Sequence, residues 1–253
     1  MKLLRFSSPE QSGWGILDGK HVQVANGCPY QGTLRPTTQS IPLQDIHWLP
    51  PATPSKIVCI GSNYRQHCLE MGRPVPDTPK LFLKPPSALI GNGQHIRLPP
   101  GVGRVDFEGE LAIIVGRRAT RITPKAVSEY LLGFTILNDV TARELQRKDV
   151  QFTRAKGFDT FCPVGPWLVP GIEPDDLRIQ THVNNTLRQD SSTADMVFSV
   201  RKLVSFISQV MTLEPGDIIS TGTPSGVGPL EPGDTVAVTI EKIGTLTNVV
   251  EGT

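Results

Sequence analysis

Long apolar runs are absent. The longest, residues 131–137, falls far short of the about 18 consecutive apolar residues needed to span a bilayer. The opening MKLLRFSSPE holds only a two-residue apolar core, too little for a secretory leader. Cysteine is scarce: the four, at positions 28, 59, 68 and 162, form no CxxC pair, as in proteins of a reduced cytosol. An excess of one charge is missing too. Twenty-five basic residues against 24 acidic ones leave a net +1 with no long run of either sign, so nothing suggests a polyanion-binding tail. These absences predict a soluble cytoplasmic globule with neither a membrane nor a nucleic-acid partner.

Glycine (24) and proline (23) are plentiful, together about 19% of 253 residues. That exceeds the ordinary share of about 12% but stays below the roughly 25–30% of disordered chains. The composition predicts many short strands joined by turns. At this length a globule buries roughly 70–75% of its unfolded surface and needs no disulfide or metal to fold. Short strands are predicted over 2–6, 14–17 and 21–25, punctuated by Gly13 and by the hairpin dipeptides Asp18-Gly19 and Asn26-Gly27. Pro36, Pro42, Pro50, Pro51 and Pro54 then form an extended joint, which divides the chain into a small β-rich N-terminal domain, 1–53, and a larger domain, 54–253.

Beyond the joint, strands are predicted over 56–60, 80–83, 105–116 and 134–138. A helix over 64–71 is capped by Ser62 or Asn63 and stopped by Gly72 and Pro74. Thr123-Pro124 opens a helix over 125–132 that Gly133 closes, and further helices cover 142–149 and 200–211. Two identical turns, Leu213-Glu-Pro-Gly-Asp217 and Leu230-Glu-Pro-Gly-Asp234, launch strands 218–220 and 235–240. The class is α+β and strand-rich, because the strands and helices do not alternate as a parallel sheet requires.

The chemistry concentrates in Asp106-Phe107-Glu108-Gly109-Glu110. In a strand, residues two apart share a face, so the three acids point together into a segment that turns apolar on both faces. Like charges at the mouth of a buried strand need a cation or proton to offset them. The plain alternative is a solvated edge that discourages aggregation. Asp139 ends the apolar strand 134–138, where it is either a helix cap or a third acid. Two Glu and one Asp would suit Mg²⁺, Mn²⁺ or Ca²⁺, not Zn²⁺. Three ligands would leave room for water or a chelating substrate. His67 and Glu70 share a helix face, so the acid can orient one ring nitrogen and leave the other as a base. Either residue would otherwise be solvated, and Cys68 between them reads as a small buried apolar residue. Lys84, Arg143 with Gln146 one turn on, and Lys156 place cations in otherwise apolar or turn segments. The glycines of Gly222-Thr223-Pro224, Gly226 and Gly228 either present backbone N–H groups to an anion or form an ordinary turn. They are not a phosphate-binding loop.

Six segments together resemble the fumarylacetoacetate hydrolase family. They are Gly61-Ser-Asn-Tyr-Arg-Gln-His67-Cys-Leu-Glu70, Leu81-Phe-Leu-Lys84-Pro, Asp106-Phe-Glu108-Gly-Glu110, Asn138-Asp139-Val-Thr-Ala-Arg143, Arg154-Ala-Lys156-Gly-Phe-Asp and Thr221-Gly-Thr223-Pro-Ser-Gly-Val-Gly. The resemblance covers about residues 56–250 and implies a mixed β-sandwich roll, usually in a homodimer. It implies a divalent metal, Mg²⁺ or Mn²⁺, on Glu108, Glu110 and Asp139, with Asp106 outside that set. It also implies that His67 and Glu70 handle protons on a segment that orders over the substrate. Lys84, Arg143, Gln146, Lys156 and Thr223 fall where members hold the substrate's carboxylate and keto oxygens. Ser62 stands where many members have Arg.

The resemblance therefore implies a metal-dependent enzyme acting on a small anionic 2-oxo acid. Charge that builds on the carbonyl oxygen as an enolate forms would be stabilised by the metal and by Lys156. Oxaloacetate decarboxylation or tautomerisation and acylpyruvate hydrolysis share this step. The alternatives are an isomerase or decarboxylase of aromatic-catabolic dienedioates and a non-catalytic binding protein of the same fold.

Overall fold

The computed structural model describes residues 1–252. Its largest sheet has 12 strands and runs through most of the molecule. The N-terminal strands Leu3–Ser7, Ser12–Asp18, His21–Asn26 and Arg35–Pro42 form an antiparallel meander at one end. That meander is joined to the rest by the pairing of Leu3 with Leu168 in Cys162–Val169. The order continues through Leu131–Asn138, Gly109–Val115, Ile218–Ser220, Ile57–Gly61 and Lys80–Lys84. A five-stranded sheet, ordered Thr186–Ser192, Arg178–Val183, Thr235–Ile240, Gly244–Gly252 and His95–Leu98, packs across it. Val105–Phe107 belongs to a third sheet of three short strands, with Thr141–Ala142 and Gly228–Pro229. This strand-rich α+β architecture is the one expected.

Strand Gly109–Val115 is buried on both faces, and its side chains divide between two cores. Leu111 and Ile113 meet Ile179, Val238 and Ile240 of the five-stranded sheet and Leu203 and Ile207 of helix Val200–Val210. Ala112 and Ile114 meet Cys59, Leu137, Val164 and Leu168 on the other side. Burying one such leucine or isoleucine contributes roughly 1.5–3 kcal/mol, so this strand anchors both layers.

Several local expectations change. The stretch 105–116 is not one strand. It breaks at Glu108, and its halves enter different sheets. The helix predicted over 125–132 is only a 3-10 turn, Val127–Glu129, because Leu131–Asn138 is already committed as a strand. Gly133 does not end a helix either; a Cβ there would lie 2.6 Å from the Val169 carbonyl oxygen, so strand packing demands glycine. Helix Arg65–Glu70 lacks a side-chain cap. Asn63 instead accepts a hydrogen bond from the Phe198 N–H and donates to the Phe198 and Thr221 carbonyls, and Ser62 adopts a left-handed φ of 61°. The two repeated turns are alike in detail. Each Asp N–H donates to the Glu carbonyl at 3.0 Å, and each Gly has a φ of +92°.

Candidate active site

The break in the chain at Glu108 starts the site. Its N–H donates to Asn138 Oδ1 at 2.9 Å, and its carbonyl accepts from the Asp139 N–H at 2.8 Å. These bonds bring the end of strand Leu131–Asn138 against the Glu-Gly-Glu segment. Glu108, Glu110 and Asp139, all buried, thereby converge: one oxygen from each lies within 4.8 Å of the others. The solvated edge and the helix cap are both excluded, since Arg143 opens the next helix with Ala142 as its flanking residue. Asp106 stands apart from the three, bound to Arg104 and to Arg143 Nε, the latter at 2.7 Å.

Cations press on two of these acids. Lys156 Nζ donates to Glu108 at 2.9 Å and also to Asp139, and it lies 4.7 Å from the Phe82 ring centroid. Arg143 Nη2 pairs with the other Glu108 oxygen at 2.7 Å. Lys84, 1% exposed, donates to Asp139 at 2.6 Å and to the Val140 carbonyl at 3.1 Å. Neither lysine is surface decoration. Burial alone would lift the Glu108 carboxyl, but Lys156, Arg143 and His67 outweigh it and hold it well below the ordinary carboxylate range. Burial opposes the Lys156 charge as well, yet Asp139 and Glu108 prevail and push its ammonium upward. Glu110 goes the other way: burial first, then Asp139 and Glu108, drive it well above its ordinary value. Its direct donors are the neutral Ser220 hydroxyl and the Gly222 N–H, the latter at 2.8 Å.

His67 and Glu70 meet as their spacing predicts, with Nδ1 3.0 Å from Oε2. The other Glu70 oxygen accepts from the Gly226 N–H at 2.9 Å. The glycine-rich segment does present N–H groups to acids, and these are the carboxyl groups of the protein's own Glu110 and Glu70. A narrow cleft opens between Ser62, His67, Arg73, Glu108, Glu110, Arg143, Gln146, Lys156 and Thr223. Lys84 does not line it. Gln146 accepts from Arg143 Nη1 at 3.0 Å, and Thr223 donates to the Gly109 carbonyl at 2.9 Å. The donor set is oxygen only and tightly gathered, which fits a hard divalent ion.

A sequence model of the fumarylacetoacetate (FAA) hydrolase C-terminal family matches residues 56–251. The chain belongs to the fumarylacetoacetate hydrolase family. Residues 1–51 match a second one, Rv2993c-like, N-terminal. Oxaloacetate tautomerase YisK of Bacillus subtilis is 46% identical over 209 residues, 77% of this chain and 69% of that protein. The crystal structure of 2-hydroxyhepta-2,4-diene-1,7-dioate isomerase from Mycobacterium marinum matches with a TM-score of 0.93 and 45% identity, covering 100% of this chain and 98% of that one. Maleylpyruvate hydrolase from Sphingobium sp. SYK-6, solved with manganese(II) and pyruvate, matches at 0.83 and 30%, covering 100% and 99%. Membership in the family thus places this chain among enzymes.

Two residues at or beside the site escape a sequence reading. Arg73 follows the expected helix and lines the cleft and its outer mouth. Gln189 is 0% exposed and bonds to both Gly109 and Thr223, yet it sits in Thr186–Ser192 among polar neighbours that make it look solvated. Only the burial of that one position separates it from them. Among the described residues, no helix is long and apolar enough to cross a membrane.

Proposed function

We propose that the protein is a divalent-metal-dependent enzyme that acts through an enolate on small 2-oxo dicarboxylic or acylpyruvate-type acids, oxaloacetate first among them. The observation that carries this reading is the meeting of Glu108, Glu110 and Asp139 with Lys156, at a cleft lined by Glu108, Glu110, Lys156 and His67. The three carboxylates would hold Mg²⁺ or Mn²⁺, which when bound supplies Lewis-acid polarisation of the 2-oxo acid.

The chain's own groups supply the rest. Arg143 and Gln146 line the cleft and offer donors to a substrate carboxylate, while Thr223 lines it with its hydroxyl committed to the Gly109 carbonyl. Lys84 keeps Asp139 oriented from outside the cleft. The Lys156 ammonium, held charged by its acids, stabilises the oxygen on which negative charge develops. His67, oriented through Nδ1 by Glu70, moves the proton at carbon with its free Nε2. Arg73, with no ion-pair partner among the described residues, stands at the outer mouth beside Arg104 and Arg147. This basic rim favours a substrate with a second carboxylate. The Mycobacterium marinum match supports a second reading, isomerisation of a dienedioate, which needs the same enolate and the same rim.

The reading includes a cytoplasmic homodimer, for which exposed Leu83 on a sheet edge and Val150 offer apolar surface; sedimentation equilibrium tests it. The activity is tested by incubating Mn²⁺- or Mg²⁺-loaded protein with oxaloacetate, acetylpyruvate, fumarylpyruvate and 2-hydroxyhepta-2,4-dienedioate while following ultraviolet loss of enol absorbance. Consumption of at least one, abolished by chelation, is the expected outcome. Silence across all four overturns the proposal.

A further inference from the structure

The peptide that joins Glu108 to Glu110 is held by a closed ring of hydrogen bonds. The Gly109 N–H donates to Gln189 Oε1 at 3.0 Å. Gln189 Nε2 donates to Thr223 Oγ1 at 2.8 Å, and Thr223 Oγ1 donates back to the Gly109 carbonyl at 2.9 Å. Gln189 completes its capacity with Thr181 Oγ1, which donates to Oε1 at 2.7 Å, and with the Pro224 carbonyl, which accepts from Nε2 at 2.8 Å. A primary amide has two acceptor sites and two donors, and all four are used here.

Gln189 reaches this position from the opposite sheet. The pairing of Arg178–Val183 with Thr186–Ser192 slips between Thr181 and His182, which leaves Arg188 as the extra residue. Such a bulge re-aims the neighbouring side chain, and Gln189 becomes the one fully buried residue of its strand. Gly109 is shaped to receive it. A Cβ there would lie 2.4 Å from Thr181 Oγ1 and 3.1 Å from Gln189 Oε1.

We infer that Gln189 is a positioning residue that sets the separation and aim of the Glu108 and Glu110 carboxylates for their divalent ion. This rests on the metal reading of those carboxylates. Outer partners of metal ligands are worth about 10–100-fold in metal affinity, and a ring closed on the peptide between two ligands constrains both at once.

The test is calorimetric titration of Mn²⁺ into the metal-free wild type and into three variants, with melting temperatures and far-ultraviolet dichroism as folding controls. Gln189→Met keeps the shape but removes all four bonds, and its Mn²⁺ affinity is expected to fall about 10–100-fold. Gln189→Glu keeps the acceptor for Gly109 and loses the donors, so it should fall between Gln189→Met and the wild type. Thr181→Val removes a bond to the same oxygen without opening the ring, so it should lower the melting temperature while holding affinity within about twofold. A folded Gln189→Met with wild-type affinity overturns the inference. If that variant does not fold, Thr223→Val opens the ring at another bond, and unchanged Mn²⁺ affinity there overturns it equally. Failure of the wild type itself to bind Mn²⁺ overturns the metal reading, and this inference falls with it.

Discussion

Glu108 and Glu110 stand two residues apart on one stretch of backbone, yet they face opposite kinds of wall. Glu108 looks onto Lys156 and Arg143, which hold it ionised. Glu110 looks onto the Ser220 hydroxyl and the Gly222 N–H, with two acids behind it, and its charged form is disfavoured. Identical side chains thus carry different electrostatic burdens. Glu108 is already compensated by the protein, whereas a divalent ion would supply the positive charge that Glu110 lacks. A site that holds one acid without such a partner is poised for a cation.

The comparison breaks most visibly on substitution. Glu108→Gln and Glu110→Gln should both abolish the proposed metal-dependent turnover, because each would remove one of the three proposed ligands. Their stabilities should diverge. Losing the Glu108 charge leaves buried Lys156 and Arg143 under-compensated, at a cost of about 3–5 kcal/mol in urea unfolding. Glu110→Gln should leave the metal-free protein as stable or more so, since it removes a charge the fold disfavours. Equal losses would show that the two walls do not differ. His67→Ala is expected next, with kcat lower by about 10²–10⁴ and Mn²⁺ affinity unchanged; normal turnover would remove His67 from the proton-handling role.

The pH dependence sharpens the contrast. A carboxyl whose folded pKa lies above its unfolded value binds a proton preferentially in the native state. Its contribution to stability is complete below the unfolded value, about 4.5, and is lost as pH rises through the folded value. The metal-free protein should therefore lose stability on that rise, and Glu110→Gln should flatten the slope. Glu108 has the opposite sign, its contribution vanishing only as pH falls through its depressed folded value. Chemical denaturation across pH, with and without Glu110→Gln, measures both. An unchanged slope would mean that Glu110 does not carry the effect.

The smallest expected effect concerns the repeated turns. Asp217 and Asp234 each accept from the preceding Glu N–H at 2.8 Å, so the local geometry is the same. Asp217 is fully buried and also takes the Ser55 hydroxyl and N–H and the Lys56 N–H and ammonium, tying the proline-rich joint to the body. Asp234 takes Asn184 Nδ2 at 2.6 Å near the surface. Asp217→Asn should lower the melting temperature by several degrees and Asp234→Asn by less. The reverse order would deny the joint its anchor.

These cases mark how far the chain could be read. The His67-Glu70 pair was legible because one helical turn sets its spacing, and the acids at 108 and 110 were legible as residue types although the strand drawn through them breaks at Glu108. The first three strands of the N-terminal meander and helix Val200–Val210 were legible from periodicity and turn residues, whereas Arg35–Pro42, read as part of the proline-rich joint, is a fourth strand. The helix at 125–132 misled, since a proline and cap signal cannot outweigh a strand paired on both sides by Gly109–Val115 and Cys162–Val169. The break at Glu108 was equally invisible, because its cause is Asn138, 30 residues away.

Local order along the polymer thus determined which acids, which histidine and which turns this protein carries. Tertiary packing alone decided that Lys84 and Lys156 are buried against Asp139, that Glu108 and Glu110 differ in charge preference, and that Gln189 braces the peptide between them. The reason is physical. Backbone periodicity acts over a few residues, whereas desolvation and ion pairing depend on neighbours that only the folded chain brings within a few ångströms.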